Sequence, residues 1–556
     1  MKKSEKLNVY EQLVVFGVPL VTILVVTSGV LDPVNLPKMV LVVGLGFGLT
    51  PFVYQKLSFR ESRVKSLFIS LHVLFLIWTL FVLFFAGSPF TESLYGVAGR
   101  FTGALSYIGF SLISLSIALN PNKLFYSKIL YGLYFATLVN VVYCGFVILT
   151  NSDPIPWTNI YGEILGTFGN PNFISAFLGI AITVTFAKLL DLGLNVRSKL
   201  LLVLLAVVSF LEIIDSQSRQ GIVVTAIGCG GVFVYKIFTL RIAKAIKIAC
   251  AFSYFFLGTI ATLGMLQIGP LTSFVYKLSV SIRGAYWRAG WETMSQNPLF
   301  GVGFDGFGDW YTRVRDERAM TVPGPDVFTN SAHNVFIEQG ANGGVPLFVI
   351  YLAIQLLILF CGLDFLRKSR EFNYLFAASF FGWVGFTAQS IISINQIGLA
   401  IWGYVLGAIT IGMYIESTSA AREVVQKNIK TNQVKKDNFS NLIALIFVII
   451  GLGLSSPAIY AESKWRAAIE SKDLDSILLS GNRWPQSTAR YISAVKLLYE
   501  NKLDDRALDF TREGLQFNPN NARLWYFLYQ LPGSTEAEKK SAMENLKLLD
   551  PRFVAK

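Results

Sequence analysis

The residue best suited to acid–base chemistry is His333, one of only two histidines in the 556-residue chain. It stands in the segment TNSAHNVFIEQGANGG, where Asn334 and Glu338 follow it closely. A neutral imidazole accepts a proton from a hydroxyl near pH 7, and polar neighbours hold its ring in one tautomer. We therefore predict His333 as a catalytic base and Asn334 and Glu338 as substrate-binding residues, with Glu338 also a candidate for orienting the ring. The other histidine, His72, lies in an apolar run and is predicted to pack between helices.

Three arginines are candidates for binding an anion. Arg219 lies in a turn between two apolar runs, where its charge is costly unless a bound anion or Asp215, four residues earlier, compensates it. Arg283 and Arg288 share the segment SIRGAYWRAGWE. On a helix Arg288 lies directly below Glu292, so a salt bridge can occupy it. We therefore predict Arg219, Arg283 and Arg288 as anion-binding residues and rank Arg283 ahead of Arg288.

These residues are separated by long apolar runs. Apolar residues make up 53% of the chain, charged residues make up 15%, and the mean hydropathy is +0.52, which excludes an ordinary soluble domain. A hydrocarbon core needs about 20 apolar helical residues to cross it. Thirteen runs qualify: 13–30, 36–54, 67–86, 102–119, 126–149, 172–190, 199–215, 220–239, 246–268, 344–363, 373–390, 396–415 and 440–458. The sequence therefore predicts an all-α polytopic transmembrane bundle with about 13 spans.

The positions of lysine and arginine predict the orientation of these spans, because connections on the cytoplasmic side carry more of these basic residues. With the N-terminus inside, twenty-four such residues fall in the inside connections, whereas the short outside connections hold only Lys38, Arg100 and Arg219. This asymmetry predicts that the long loop at about 269–343 and the C-terminal segment lie on the outer side of the cytoplasmic membrane. The formal charge of +13 is explained by these loops, so nucleic acid is not predicted as a partner.

The last hundred residues differ in pattern from the rest of the chain. After residue 460 short, charged segments with helical periodicity replace the apolar runs, and the elements Asn518-Pro519-Asn520 and Asp550-Pro551-Arg552 recur 32 residues apart. This spacing resembles degenerate tetratricopeptide repeats, whose period is about 34 residues. We predict a transmembrane domain at 1–460 and an extracytoplasmic helical domain at 461–556 that offers a surface for a protein partner. A small helical cap on the membrane domain is the alternative.

The four cysteines, Cys144, Cys229, Cys250 and Cys361, fall inside or beside apolar runs, and no pair has the spacing of metal ligands. We therefore predict buried thiols, and neither a metal site nor a cofactor.

Several segments together carry a family resemblance. They are Arg283-x-x-x-Trp287, the run Asn297 to Phe304 (NPLFGVGF), His333-Asn334, the turn Ser218-Arg219-x-Gly221 and the run Gly166 to Asn172 (GTFGNPN). In this combination, over about residues 160–415, the chain resembles the bacterial O-antigen ligase/polymerase family. Family ligases commonly end after about twelve spans, whereas this chain adds another span and a C-terminal segment. The resemblance therefore implies the donor chemistry and leaves the identity of the acceptor open.

The resemblance implies a glycosyltransferase that takes a glycan from undecaprenyl diphosphate and passes it to a hydroxyl acceptor (lipid, glycan or protein) on the outer face of the membrane. Arginines would neutralise the diphosphate without a metal, and His333 would deprotonate the acceptor. Asn170 and Asn172 would bind sugar or phosphate, although GNPN is equally a helix-start signal.

Three other readings stay open at this point. A polymerase that extends the lipid-linked glycan fits the same residues. A transporter of an anionic solute and a membrane scaffold for polysaccharide assembly belong to different classes of protein.

Overall fold

The computed structural model describes residues 7–58, 62–276, 278–418 and 433–552. Some of the charges behind the predicted orientation lie outside these described residues, namely Lys2, Lys3, Lys6, Arg60, Arg422, Lys427 and Lys430.

The described chain is helical, with short 3-10 turns and no β-strand among the described residues. The first eleven helices are α1 (Val9–Ile23), α2 (Asn35–Lys56), α3 (Arg63–Phe85), α4 (Phe90–Tyr95), α5 (Ala104–Ala118), α6 (Lys123–Thr150), α7 (Pro171–Leu189), α8 (Val196–Asp215), α9 (Arg219–Thr239), α10 (Lys244–Met265) and α11 (Thr272–Val275). The remaining helices are α12 (Leu278–Gln296), α13 (Phe307–Val314), α14 (Val335–Lys368), α15 (Tyr374–Ser390), α16 (Ile397–Thr418), α17 (Gln433–Ser471), α18 (Leu474–Gly481), α19 (Thr488–Glu500), α20 (Asp504–Phe517), α21 (Ala522–Gln530) and α22 (Glu536–Leu549).

The predicted fold class is confirmed: the protein is a polytopic helical membrane protein. Each of the thirteen predicted spans overlaps a helix. Within the described ranges, nine helices are long and apolar enough to cross a membrane, and α1 and α5 are shorter apolar helices of 15 residues each.

Several predicted span boundaries differ from the observed helices by more than five residues. The first helix ends at Ile23 rather than at residue 30. Helix α14 begins at Val335, nine residues before the predicted span, because the Asn334 side chain accepts the N–H groups of Phe336 and Ile337 and so caps a helix start. The helix then bends at Gly344, whose φ of 73° interrupts the helical geometry.

The interior of the bundle is formed by the helices with the most buried side chains. Helix α2 packs against α5 and α17, α7 packs against α9 and α15, and α16 packs against α5 and α15. Helix α10 instead lies at the edge against α9, and it leaves large apolar side chains such as Phe252, Phe255 and Leu257 exposed. An apolar exterior on a helix of this length suits contact with lipid.

The C-terminal helices form a second apolar cluster on the same chain. Helix α17 runs without a break through residue 460 to Ser471, and the cluster begins at Trp465. Helices α19 and α20 pack as one pair, α21 and α22 pack as a second, and α20 contacts α21. The domain boundary at 460 and the tetratricopeptide resemblance stay predictions.

Candidate active site

His333 lies between α13 and α14 in a constrained backbone conformation. Its φ is +51°, a left-handed conformation that residues other than glycine seldom adopt. Three contacts hold it there. Its N–H donates to Ser331 Oγ at 3.0 Å, its carbonyl accepts the Trp287 indole N–H at 3.2 Å, and its ring lies 5.2 Å from that of Tyr286. Strain maintained by several contacts is a feature of functional sites.

The ring contacts of His333 define which nitrogen is available for chemistry. Nδ1 lies 3.2 Å from the carbonyl oxygen of Ser331. A carbonyl only accepts hydrogen bonds, so in the neutral ring Nδ1 carries the proton and Nε2 carries the lone pair. Nε2 has no hydrogen-bond partner within the described part of the chain, so it is the atom that can accept a proton.

The surroundings keep this imidazole neutral. The pKa of His333 is lowered to about 4, chiefly by burial and also by the positive charges of Arg283 and Arg100, whereas the contact with Ser331 opposes the shift. The ring is therefore an unprotonated base at neutral pH.

A buried ionic network fixes the segment that carries His333. Arg100 Nη2 lies 2.5 Å from Glu338 Oε1 and 3.4 Å from Asp305 Oδ1, and all three side chains are at most 4% exposed. Glu338 Oε2 accepts the hydroxyl of Ser331, and Arg100 Nη1 donates to the carbonyl of Asn330. The backbone on the N-terminal side of His333 is thus tied to α14 and to the loop before α5.

Two residues that the sequence predicted as substrate-binding, Asn334 and Glu338, have structural partners in or beside this network. Glu338 is occupied by Arg100 and Ser331, and Asn334 caps α14, so neither lines the cavity beside His333. Sequence reasoning did not find Arg100 and Asp305 as members of the site. A single arginine in a short outside connection was the only signal available for Arg100, since its partners lie more than 200 residues away.

His333 opens onto a cavity of about 780 Å³. Loop helices α12 and α13 and the segment 328–333 form part of the wall, and the C-terminal helices α19 and α21 form another part. A volume of this size is typical of a site for a small ligand or for a few sugar units. Residues that face it include Arg283, Tyr286, Asp309, Phe328 and Arg523.

Arg283 and Arg288 differ in their surroundings. Arg283 lines the cavity, has no carboxylate within 4.0 Å among the described residues, and has its pKa lowered by burial. Arg288 is paired with Asp316, its Nε 2.6 Å from Oδ2. The predicted salt bridge between Arg288 and Glu292 is wrong, because the loop after α13 brings Asp316 to Arg288. Glu292 instead accepts a hydrogen bond from Gln296. Arg283 is therefore the cation available beside His333.

The residues around Arg219 lie at a separate turn. Arg219 donates through Nη1 to the carbonyl of Tyr276 at 2.9 Å and forms no ion pair with Asp215. Asn172 accepts the Ser218 hydroxyl at 2.8 Å, and Asn170 caps α7 and donates to Tyr161. None of the three predicted residues lines the cavity of His333. Arg219 instead anchors the segment that leads into α12, the helix that carries Arg283.

Among the described residues, no group of three or more His, Cys, Asp or Glu side chains is placed to hold a metal ion.

The fold and this cavity define an integral membrane protein in which a histidine and an arginine line one cavity on the loop side. Residues 202–352 match the family model for O-antigen ligase, which is 151 of the 556 residues and includes Arg219, Arg283 and His333. No curated protein matches the chain. The family match confirms the resemblance that the motifs indicated. This family implies glycan transfer of the O-antigen ligase or polymerase kind, with lipid-linked glycans as the class of substrate.

Proposed function

We propose that this protein transfers a glycan from undecaprenyl diphosphate to a hydroxyl acceptor at the outer face of the cytoplasmic membrane. The observation that carries the proposal is the presence of His333 and Arg283 in one cavity, inside the segment that matches the ligase family. The asymmetry of basic residues supports the outer location, because it places this loop opposite the basic connections.

In the proposed reaction the donor diphosphate lies against Arg283. A guanidinium offers a planar fork of N–H donors to phosphate oxygens and stabilises the charge that grows on the leaving group. His333 Nε2 takes the proton of the acceptor hydroxyl while the acceptor oxygen forms a bond to the anomeric carbon. The bond from that carbon to the diphosphate oxygen breaks, and the electron pair leaves with undecaprenyl diphosphate. The imidazolium then returns its proton to water.

The low pKa of His333 is compatible with this role. In the free protein the charges of Arg283 and Arg100 oppose protonation. A bound diphosphate brings negative charge next to Arg283 and offsets that effect, so the imidazole becomes more basic when the donor is present. The acceptor hydroxyl also becomes more acidic as its bond to carbon forms.

The test is transfer from purified undecaprenyl diphosphate oligosaccharide by the full-length protein in lipid nanodiscs. We expect His333→Ala to lower the turnover about 10²- to 10⁴-fold with donor binding unchanged. Lys540→Ala on α22 is a control that removes an exposed charge away from the cavity and keeps wild-type turnover. Unchanged turnover in His333→Ala would contradict the proposal. A single addition to the acceptor identifies a ligase, whereas a ladder of lipid-linked products identifies a polymerase.

A further inference from the structure

Part of the wall of the cavity comes from the C-terminal helices, which lie outside the segment that matches the ligase family. Thr488 and Ser493 belong to α19, Arg523 belongs to α21, and Asn521 caps α21. All four residues line the cavity that His333 and Arg283 also line. The C-terminal segment is thus in a position to contact a substrate directly.

This wall is attached to the loop helices by buried polar contacts. Glu92 accepts the N–H of Thr488 at 2.7 Å and its hydroxyl at 2.9 Å. Asp309 accepts from Asn518 and from Asn521, each at 2.7 Å. Buried carboxylates with such partners are costly to separate, so α19 and α21 are held in a fixed position against the cavity.

A second buried attachment lies farther along the same interface. Arg315 and Asp550 form an ion pair at 2.9 Å, and Thr312 donates to the carbonyl of Leu549 at 2.9 Å. These contacts join the end of α22 to α13, so the C-terminal helices are held to the loop at more than one place.

Arg523 is the cation of this wall. Its guanidinium lies 4.6 Å from the centre of the Phe328 ring, and it has no carboxylate within 4.0 Å among the described residues. Two other arginines of the C-terminal helices, Arg506 and Arg512, are each paired with a carboxylate at 2.8 Å. The nearby carboxyl group of Asp309 is occupied by two asparagines. The fork of Arg523 is therefore available for an anion, and the ring of Phe328 holds it in place.

The position of Arg523 assigns it to one of the two substrates. The donor is tied to the membrane by its polyprenyl chain, and its diphosphate is expected at Arg283. The acceptor hydroxyl must reach Nε2 of His333 and attack from the side opposite the leaving diphosphate. Helices α19 and α21 contact α4 through Glu92 and α13 through Asp309, so we expect the acceptor, which is not held by the donor's polyprenyl chain, on their side of the cavity.

We propose that Arg523 is a specificity-determining residue that binds a carboxylate or phosphate on the terminal sugar of a glycan acceptor. This proposal rests on the proposed function and deepens it, since it names the chemistry of the acceptor. Asn521, Ser493 and Thr488 bind sugar hydroxyl groups beside that anion.

The experiment compares three matched oligosaccharide acceptors that end in glucose, glucuronate or glucose 6-phosphate. Transfer from undecaprenyl diphosphate oligosaccharide is measured for the wild type, Arg523→Ala, Arg523→Lys and the control Lys540→Ala. We expect the wild type to prefer an acidic acceptor. In Arg523→Ala the KM for that acceptor should rise about 10- to 100-fold, the loss expected for a charge-assisted hydrogen bond, while the KM for the donor stays unchanged. Arg523→Lys should retain part of the preference, and the glucose acceptor should not distinguish the variants.

The outcomes separate this proposal from the proposed function. Equal effects of Arg523→Ala on neutral and acidic acceptors, or a raised KM for the donor, would overturn the role of Arg523. Transfer that requires His333 but shows no preference for an acidic acceptor also overturns the role of Arg523. In that case the proposed function stands. If the wild type transfers to none of the acceptors and also does not extend the lipid-linked glycan, both proposals fail. Preference for glucuronate or for glucose 6-phosphate identifies the source of the anion.

Discussion

Arg100 Nη2 lies 2.5 Å from Oε1 of Glu338, in an ion pair whose side chains are only 4% and 2% exposed. The pair joins the loop before α5 to the first turn of α14, and Ser331 extends it to the backbone that carries His333. The position of the candidate base therefore depends on two residues that do not line the cavity with it.

Removal of one partner of this pair should disturb both stability and catalysis. Glu338→Ala leaves the buried charge of Arg100 with only the more distant Asp305, and loss of a buried partner costs about 3–5 kcal/mol. We expect a lower free energy of unfolding and a lower kcat. Unfolding followed in detergent by tryptophan fluorescence and the transfer assay measure these two quantities.

Glu292→Gln provides the control for that variant, since Glu292 lies exposed on α12 and its side chain accepts a hydrogen bond from the exposed Gln296. It should keep both the stability and the kcat of the wild type. A Glu338→Ala protein with wild-type stability would show that the pair does not hold the segment.

The pH dependence of transfer should reflect the low pKa of His333. Because that pKa is lowered to about 4, the neutral base dominates at every pH above this value and is lost as pH falls through it. kcat/KM reports the free protein, so it should stay level from pH 7 down to about 5 and decline near 4. In Arg283→Gln one opposing positive charge is removed, so the pKa of His333 rises and the decline begins at a higher pH.

Arg288→Gln is the matched comparison for this profile. Arg288 is paired with Asp316 and does not appear among the groups that shift His333, so its profile should follow the wild type. Profiles of kcat/KM over pH 3.5 to 8 distinguish these expectations. A decline centred near pH 6.5 in the wild type would mean that burial does not control the base.

The two arginines of α12 should also differ in donor binding. Arg283 faces the cavity and has no carboxylate partner in the described part of the chain, so Arg283→Ala should weaken binding of a lipid diphosphate by about 1.5–3 kcal/mol, the worth of a hydrogen bond to a charged group. Arg288→Ala removes a largely exposed ion pair and should change donor binding little. Titration of undecaprenyl diphosphate into nanodisc-embedded protein measures both. Equal losses would contradict the assignment of Arg283 as the free cation.

Gly344 should tolerate no side chain. It has φ of +73° at the bend of α14, and a Cβ atom there would lie 2.3 Å from the carbonyl oxygen of Leu299. Gly344→Ala should therefore displace α14 relative to the loop that follows α12 and lower the thermal stability of the protein. Gly453→Ala is the control, since a Cβ there meets nothing within 4 Å. A Gly344→Ala protein that melts at the wild-type temperature would show that the bend can relax.

The sequence by itself determined the class of protein and singled out its main candidate residues. Long apolar runs require helices in a membrane, because hydrocarbon offers no partner for unpaired backbone groups. The scarcity of histidine singled out His333, and helical phase ranked Arg283 ahead of Arg288. The partner of Arg288 was not local, however, because it is Asp316 on the loop after α13 rather than Glu292.

Only the tertiary structure decided which distant residues meet. The pairing of Arg100 with Glu338, the separation of Arg219 from the cavity and the approach of Arg523 to Phe328 each depend on how helices far apart in the chain pack together. Periodicity and charge patterns describe one helix at a time, so they contain no information on these partners. The same limit applies to the site as a whole: the sequence predicted His333 and Arg283 as candidates, and the packing of α19 and α21 against the loop supplied another part of the wall.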